Sequence, residues 1–316
     1  MISITLKSSG SDRNSLKQVL LCLSLMLLLF NSQVLRAQTS EINTLKTRLI
    51  PDFISDEQQR AEKDNTTVST LANDFYNTQQ GDGSWNDIDY ADTSRSDWAP
   101  SEHLARLRTM AVNYHKAPTT IKLSQLSDGI DYWYQVEPVS DNWWWNDIGK
   151  QKYLGPISLI LEAQLQSYQI ADILNDFPAS PSMTGANRTD ISQSVIHGGL
   201  LDNNENQVQS GINGIGDSII QTTGEGIQPD NSYHQHGPLL HNGSYGKVLL
   251  GSSLYWAYQV RDLQWAYPQT KVDIITDYFL DGDRWMTRHG RMDYSTGGRS
   301  ISRPGPTVLS NDTLLK

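Results

Sequence analysis

The chain has 316 residues, of which 37% are hydrophobic and 19% charged, and its formal net charge is −10 at pH 7. This length is sufficient for one large domain with a core of its own. The acidic balance makes the chain a poor candidate for non-specific nucleic-acid binding, so we expect no nucleic-acid partner, and an anionic ligand needs a local basic patch.

The first 37 residues have the pattern of a secretory signal peptide. Basic residues precede an apolar run at 19–30, and Ala37 stands at the predicted cleavage site. The apolar run is too short to span a bilayer, so we predict a secreted or periplasmic bacterial protein without a membrane span. The alternative is a lipoprotein anchor at Cys22, but this cysteine lies near the start of the apolar run. Because Cys22 is the only cysteine, the mature chain (38–316) contains no disulfide.

From residue 38 onward the sequence predicts helices separated by polar loops. An acidic helical stretch within 38–82 leads into the Gly- and Asp-rich loop "QQGDGSWNDIDYADTSRSDWAP". Further helical patterns cover 101–116 (with Ser101 as N-cap), 119–136, 156–176, 189–203, 245–261 and 268–289. Strand signals are scarce before "RMDYSTGGRSIS". We therefore predict an all-α architecture of helical pairs whose long loops carry the functional residues.

The first polar cluster is "DNWWWNDIGKQ", residues 141–151. Three consecutive tryptophans cannot all face inward on one helical turn, so at least one is expected to be exposed or to line a cleft. Packing between helices is the alternative role. Aromatic platforms suit sugars, because the apolar C–H faces of a sugar stack on aromatic rings.

The second cluster is "TGANRTD", residues 184–190. Thr184 or Asn187 could cap the helix that follows. The alternative is that the Asn187 amide donates hydrogen bonds to a substrate carboxylate or to an oxyanion.

The third cluster, "SYHQHGPLLHNGSYG" (232–246), contains three of the seven histidines in a glycine-broken stretch. A metal site would need His234 and His236 to converge with carboxylates or with His241, and an H-x-H pair alone is a weak signal. A proline and three glycines instead indicate a tight turn into a helix that begins near Tyr245. Such a turn can direct one imidazole and one phenol at the same point. This favours proton transfer, and we expect no metal and no cofactor.

The fourth cluster, "RHGRMDYSTGGRSISRPG" (288–305), is the only dense basic patch of this acidic chain. It holds Arg288, Arg291, Arg299 and Arg303 in a glycine-rich segment. Scattered surface arginines are the alternative. Guanidinium groups hold carboxylates or sulfates in a bidentate fork, so the patch predicts anion recognition.

Together, and in this order, the four clusters resemble the catalytic α-domain of polysaccharide lyase family 8, which contains the chondroitin AC, hyaluronate and xanthan lyases. The resemblance runs from about Trp85 to Pro306 and rests on "NWWWNDIG", "TGANRTD", "HQHGPLLHNGSYG" and "GGRSISRPG". The resemblance implies that Asn187 contacts the uronate carboxylate and that His236 and Tyr245 are the catalytic pair. It also implies that Arg299 and Arg303 are active-site arginines. Trp143 and Trp144 would form an aromatic patch that orients the sugar chain.

The resemblance also implies a fold and a substrate. The family fold is an incomplete (α/α) toroid followed by large antiparallel β domains, so we expect residues 38–316 to form the toroid and to end before the β domains. A glutamate that the family supplies from those domains is then missing, and the activity of this chain stays open. The expected partner is an anionic polysaccharide, chondroitin sulfate or hyaluronan, and we expect a monomer.

The residues themselves suit β-elimination of a uronate-containing polysaccharide. A base removes the proton at C5, next to the carboxylate, and the 4-O-linked sugar leaves. Hydrogen-bond donors such as Asn187 stabilise the charge that develops. Tyr245 is the preferred base and can return its proton to the leaving oxygen, with Arg299 and Arg303 supplying positive charge. The alternative is His236 as the base, with Tyr245 acting as the acid alone.

Three other functions stay open at this stage. Xanthan is the alternative polysaccharide. A truncated, non-catalytic fragment could only bind glycan through the tryptophans and the arginine segment. A glycoside hydrolase would need two carboxylic acids that flank the scissile bond. The motifs "WNDIDYAD" and "WWWNDIG" offer four of them: Asp87, Asp89, Asp92 and Asp147.

Overall fold

The computed structural model describes residues 41–302. The chain divides into two compact units, Met1–Thr44 and Leu45–Lys316, and the described residues of the first unit are helical. The predicted signal peptide (1–37) and Arg303 lie outside the described residues. The described residues form ten α-helices: α1 (41–63), α2 (Val68–Thr78), α3 (Ser101–Lys116), α4 (Thr120–Val136), α5 (Lys150–Leu161), α6 (Ser167–Asp176), α7 (Gly185–Leu201), α8 (Glu205–Ser218), α9 (Lys247–Gln259) and α10 (Gln269–Asp277).

The helices from α2 to α10 alternate between an inner and an outer layer. Helix α3 contacts α5, α5 contacts α7, and α7 contacts α9, so these four helices form the inner layer. The intervening helices pack on the outside, each against an inner helix that neighbours it in sequence. This alternation of helical hairpins is that of an (α/α) toroid. The predicted all-α class and the incomplete (α/α) toroid are therefore confirmed.

Helix α1 is joined to the inner layer by buried contacts. The fully buried carboxylate of Glu57 accepts hydrogen bonds from Arg108 (2.7 Å) and Thr109 (2.5 Å) of α3. On the same helix, Phe53 meets the ring of His197 of α7 edge to face, with centroids 5.6 Å apart. A buried carboxylate is tolerated only where cations and donors satisfy it, so these contacts fix α1 in one register.

The prediction for α3 was right in its bounds and wrong in its cap. The helix covers Ser101–Lys116, but its N-cap is Pro100, which makes no side-chain capping bond. The hydroxyl of Ser101 donates instead to the carbonyl of Trp98, 2.7 Å away. Trp98 is buried at the end of the loop, so tertiary packing and not a side-chain cap sets the start of the helix. The predicted helices 119–136, 189–203 and 245–261 correspond to α4, α7 and α9.

The predicted helix over 156–176 is wrong, because two helices occupy this range. Helix α5 begins earlier, at Lys150, and contains Pro156, and α6 begins after a break at 162–166. Gln166 opens α6 with a capping box, in which its backbone N–H donates to the Gln169 side chain at 3.1 Å. The capping box fixes the start of α6 within a range whose periodicity alone predicts one continuous helix.

The predicted helix over 268–289 is also wrong beyond its first half. Helix α10 ends at Asp277 and is followed by a π-helical turn, Tyr278–Gly282, and a 3-10 helix, Asp283–Met286. Gly282 explains the change, because a Cβ at this position would lie 2.1 Å from the carbonyl oxygen of Asn231. The chain passes too close to another loop here for a regular helix to continue.

Strands among the described residues are confined to two short antiparallel hairpins. Gly226–Ile227 (β1) pairs with Tyr233–His234 (β2), and Thr287–Arg288 (β3) pairs with Arg291–Met292 (β4). The strand signal in "RMDYSTGGRSIS" therefore yields only β4. Two short 3-10 helical pieces follow within Tyr294–Ser302 and are separated by a kink at Gly298. Between residues 41 and 302, none of the helices combines the length and the apolar character that a membrane span requires.

Candidate active site

Tyr245 lies at the centre of a group that joins the third and fourth sequence clusters. Its Oη is 3.0 Å from His236 Nε2 and accepts a hydrogen bond of 2.6 Å from Arg299 Nη2. The His236 and Tyr245 rings meet edge to face, with centroids 5.1 Å apart. A guanidinium can only donate, so the phenol oxygen accepts from Arg299 and its own proton can point to His236. An imidazole, a phenol and a guanidinium thus converge on one oxygen.

A π-helical turn, Asn242–Gly246, presents Tyr245 and runs directly into α9. Such turns carry a wider hydrogen-bond spacing than an α-helix and occur frequently at functional sites. Gly246 is required by a close approach, because a Cβ at this position would lie 2.3 Å from the hydroxyl of Tyr278. The backbone can therefore pass over this buried phenol only without a side chain.

Asn242 joins three segments behind this turn. Its Oδ1 accepts a hydrogen bond of 2.7 Å from the backbone N–H of Tyr233, and its Nδ2 donates to Asp283 Oδ1 at 2.7 Å. All three residues are buried. Burial raises the pKa of the Asp283 carboxyl to about 6, although the hydrogen bond from Asn242 opposes this rise. The amide and the carboxyl together hold the first residue of the π-helical turn.

The position of His236 is fixed through its backbone. His236 has a φ of +58° and Gly237 a φ of +87°, so the chain turns sharply through the left-handed region. A non-glycine residue in this region is strained by about 1–2 kcal/mol and needs compensation. The compensation is a hydrogen bond of 2.8 Å from the His236 N–H to Glu225 Oε1.

The same Glu225 carboxylate links the histidine loop to the start of α7. Its Oε2 accepts hydrogen bonds from Thr184 Oγ1 (2.8 Å) and Gln235 Nε2 (2.9 Å). Thr184 is the N-cap residue of α7, but its hydroxyl donates to Glu225 and does not cap the helix. One carboxylate therefore connects the second and the third sequence clusters.

Asn187 lies in the first turn of α7, beside this connection. The preceding residue, Ala186, donates its backbone N–H to Tyr233 Oη at 3.0 Å. Asn187 is inside the helix and does not cap it, so neither predicted side-chain cap is formed. The Asn187 amide is half-buried, and no described residue hydrogen-bonds it. The amide is therefore available to a ligand.

The tryptophans of the first cluster divide between packing and exposure. Trp143 is 44% exposed, which confirms that at least one of the three does not face the core. Trp144 packs partly buried against a core cluster that includes Ile191 of α7. Ile191 follows Asn187 by four residues, so both lie on one face of α7, about 6 Å apart along its axis. Trp144 is thus placed beside the helix that carries the free amide.

His241 supports both the phenol and the arginine from beneath. It is fully buried, and its ring centroid lies 5.2 Å from that of Tyr245. Gly298, with a φ of +50°, approaches it so closely that a Cβ would lie 2.1 Å from His241 Cε1. Burial, and then the neighbouring charges of His236 and Arg299, lower the pKa of His241. The lowered pKa favours the neutral form of the imidazole, whose Nδ1 lies 2.6 Å from Ser244 Oγ.

Three of the four carboxylates that a hydrolase would use already have structural partners, and the contacts of Asp87 and Asp92 are the strongest. Arg106 holds Asp87 in a bidentate pair, with distances of 2.8 and 2.6 Å, and this pair lowers the pKa of Asp87. Hydrogen bonds from Ser94 and from the Ala99 backbone lower the pKa of Asp92. A general acid of a glycosidase needs a raised pKa, so neither group suits that role.

Three of the predicted site residues are brought together by direct contacts, and several supporting residues were missed. His236 and Arg299 each contact Tyr245. Asn187 lies on α7, whose N-cap residue Thr184 shares the Glu225 carboxylate with the His236 loop, and Trp144 packs against the same helix. Arg303 lies outside the described residues. Within residues 41–302, no group of three or more His, Cys, Asp or Glu is placed to hold a metal ion. Sequence reasoning did not find Glu225, Asn242 or Asp283.

Comparison with known proteins agrees with this geometry. Residues 44–312 match the profile of the polysaccharide lyase family 8, N terminal alpha-helical domain. The chain is 29% identical over 294 residues to the chondroitinase-AC of Pedobacter heparinus, covering 90% of this chain and 41% of that protein. It is 27% identical over 238 residues to a hyaluronate lyase of Enterococcus faecalis, covering 63% of this chain and 23% of that protein.

A solved structure gives the same relationship in three dimensions. A chondroitinase AC lyase, studied as oligosaccharide complexes, is similar to this chain with a TM-score of 0.77 and 28% sequence identity. The similarity covers 85% of this chain and 40% of the lyase. The chain thus spans about two fifths of the length of these chondroitinases and less of the hyaluronate lyase.

Proposed function

The chain belongs to polysaccharide lyase family 8, and we propose that it cleaves a uronate-containing glycosaminoglycan, chondroitin sulfate or hyaluronan, by β-elimination. The observation that carries this proposal is the contact of His236 and Arg299 with the hydroxyl of Tyr245, at 3.0 and 2.6 Å. A phenol that faces a proton acceptor and a fixed positive charge is suited to exchange a proton with a weakly acidic C–H group.

In the proposed reaction, Tyr245 moves one proton and water is not consumed. The phenol oxygen, in its deprotonated form, takes the proton from C5 of the uronate. The electron pair of the C5–H bond forms the C4–C5 double bond, and the C4–O4 bond breaks with its pair on the leaving oxygen. The same phenol then donates its proton to that oxygen. The products are an unsaturated uronate end and a new free hydroxyl on the leaving sugar.

The surrounding residues have separate tasks in this proposal. Arg299, which donates to the phenol oxygen, stabilises the negative charge that this oxygen carries before the first proton transfer and after the second. Asn187, whose amide has no partner among the described residues, donates to the uronate carboxylate as charge spreads from C5. Trp143 and Trp144 stack on the sugar chain. Arg303 keeps the anion-binding role that the family resemblance implies.

The experiment that tests the proposal is the identification of the product. Elimination creates a double bond conjugated with the carboxylate, which absorbs in the ultraviolet, whereas hydrolysis creates a reducing end without it. The full chain is incubated with chondroitin sulfate, hyaluronan and xanthan, and absorbance and reducing ends are measured together. We expect both to rise in parallel with one of the first two substrates. Reducing ends without absorbance would overturn the elimination.

The second candidate function is glycan binding without catalysis. It is favoured by the exposure of Trp143 (44%), because an open aromatic ring can bind a sugar without any catalytic group. Binding and turnover measured on the same preparation separate the two candidates. Affinity for chondroitin sulfate with no cleavage would favour the binding function. The proposal also includes an exported, monomeric protein whose signal peptide covers residues 1–37.

A further inference from the structure

The arginines near the end of the described chain lack the ion pairs that most of the other described arginines form with carboxylates. Arg60, Arg106, Arg108 and Arg188 each form an ion pair with a carboxylate. Three exposed arginines precede Arg299 in its segment: Arg284, Arg288 and Arg291. Within residues 41–302, no carboxylate lies within ion-pair distance of any of the three. In a chain with a net charge of −10, these three guanidinium groups form a local positive surface that no close ion pair neutralises, although the charge of Arg288 acts on the nearby Asp293 carboxylate.

The β3–β4 hairpin holds two of these charges side by side. Arg288 and Arg291 are directly opposite each other across the hairpin, and both side chains are exposed. The turn between them, His289–Gly290, has positive φ at both residues, as a tight two-residue hairpin requires. Like charges directly opposite destabilise a strand pair. An anion bound between the two guanidinium groups would remove that repulsion.

An exposed aromatic ring stands next to this hairpin. Trp285 is 71% exposed, the largest exposed fraction of any tryptophan among the described residues, and the guanidinium of Arg284 lies 4.8 Å from its ring centroid. Both residues belong to the 3-10 helix that leads into β3. A ring and a cation at one place suit a sugar that carries a negative group.

The hairpin is tied to the active site from its inner face. Met292 of β4 is buried, and its Cβ lies 3.4 Å from where a Cβ on Gly243 would stand. Gly243 belongs to the π-helical turn that carries Tyr245. The outer face of the hairpin therefore projects away from the reacting residues, while its inner face supports them.

We propose that Arg284, Trp285, Arg288 and Arg291, here called the outer arginine surface, bind sulfate or carboxylate groups of the glycan several sugars away from the uronate that reacts. This inference rests on the proposed function, because the ligand is the same polysaccharide. Its consequence is a preference for long polyanionic chains over short oligosaccharides, with binding that weakens as salt increases.

The test compares two variants of the full chain that lose the same charge. R288Q/R291Q removes the paired guanidinium groups, and K63Q/K116Q removes two exposed cations on α1 and α3 as the matched control. Affinity is measured for a chondroitin sulfate tetrasaccharide and for a chain of about twenty sugars, at two salt concentrations. We expect R288Q/R291Q to weaken binding of the long chain by about tenfold. It should also reduce the salt dependence of that binding and leave the tetrasaccharide unaffected.

The remaining outcomes separate this inference from the proposed function. Equal weakening for both ligands would assign the arginines to the reacting site, and equal weakening by both variants would show a general charge effect. Either result overturns the proposal that the outer arginine surface binds glycan. A change in the oligomeric state of R288Q/R291Q, measured by light scattering, also overturns it, because the arginines would then lie at an interface between copies of the chain. A wild-type chain that neither binds nor cleaves refutes the proposed function instead.

Discussion

Glu225 reaches His236 through the backbone and not through the imidazole. Its Oε1 accepts the His236 N–H at 2.8 Å, while its Oε2 holds Thr184 and Gln235. The carboxylate therefore fixes the point from which the imidazole projects and leaves both ring nitrogens to Tyr245 and to a substrate. This makes Glu225 a positioning residue that links two loops of the site.

We expect Glu225→Ala to lower kcat by about tenfold or more while KM changes less, because the imidazole and the phenol lose their alignment. Loss of a charge-assisted hydrogen bond should also reduce the free energy of unfolding by about 1–3 kcal/mol. Glu225→Gln keeps an acceptor oxygen for the His236 N–H and should recover part of kcat. Kinetics and urea unfolding measure both effects.

The matched control is Glu102→Ala. Glu102 is a half-exposed carboxylate that pairs with Arg106 on the surface of α3, and its removal should cost at most about 0.5 kcal/mol. The positioning role is refuted if the Ala and Gln variants of Glu225 have the same kcat as the wild type.

Tyr245→Phe should abolish elimination, with kcat reduced by about 10²–10⁴-fold, because the phenol oxygen carries the proton in both transfers. Affinity for chondroitin sulfate should stay within about twofold, since the ring remains in place. Tyr258→Phe, on an exposed face of α9, is the control and should behave as the wild type. A Tyr245→Phe protein with residual proton abstraction would move the base to His236.

Gly298→Ala should damage the site more than Gly297→Ala. A Cβ on Gly298 would meet the His241 ring at 2.1 Å, and its φ of +50° disfavours any side chain. A Cβ on Gly297 would meet only a methyl group of Ile301, at 3.2 Å. We expect Gly298→Ala to displace Arg299 and to lower kcat by at least about tenfold. Equal kinetics for the two alanine variants would show that this close approach does not position Arg299.

Asp283 should make stability fall as the pH rises from about 4 to about 6. Burial raises its folded pKa to about 6, above the usual value of 3.8 for an aspartate, so the folded protein binds the proton more tightly than the unfolded chain. Asp283→Asn keeps an acceptor for Asn242 and removes the titration. The difference in free energy of unfolding, wild type minus variant, should decrease by about 3 kcal/mol across this pH range.

Two comparisons isolate the Asp283 effect. Asp293→Asn removes an exposed carboxylate whose pKa is lowered by hydrogen bonds from Ser295, so the corresponding difference should stay nearly constant above pH 4 and fall only at lower pH. His197 is buried with its pKa lowered to about 4, and it destabilises the protein as the pH falls below about 6.5. The His197 effect is present in both proteins, so the difference in free energy of unfolding between the wild type and Asp283→Asn isolates the effect of Asp283. A difference that is constant between pH 4 and 7 contradicts the raised pKa of Asp283.

The fold and the centre of the site were accessible from the sequence for a physical reason. Helical periodicity depends on the burial of one face, and it identified α3, α4, α7 and α9. Three adjacent tryptophans cannot all be buried on one turn, and Trp143 is indeed exposed. The glycine-broken segments before Tyr245 and around Arg299 indicated chains bent for close contact, and these two side chains do touch.

The supporting residues could not be predicted from the sequence, because their contacts join segments that are far apart in the chain. Glu225 stands in "TGEGIQPD", which has no periodicity or recognisable spacing, yet it joins three segments once β1 and β2 pair. Asp283 lies in a run with the charge pattern of an exposed helix, whereas contact between Gly282 and Asn231 ends that helix and buries the carboxyl. Such contacts depend on tertiary structure and leave no local pattern.

The π-helical turn before α9 allows the direction of the Tyr245 side chain to be set independently of the face that α9 buries. The buried face of α9 follows from its 3.6-residue period, whereas the direction of Tyr245 is set within Asn242–Gly246. Deleting a single residue from that turn would restore ordinary α winding and rotate the phenol by about 100° relative to α9. A deletion of one codon would then leave the packing of α9 intact and remove the catalytic activity. A protein with this fold can therefore lose its activity and stay well folded.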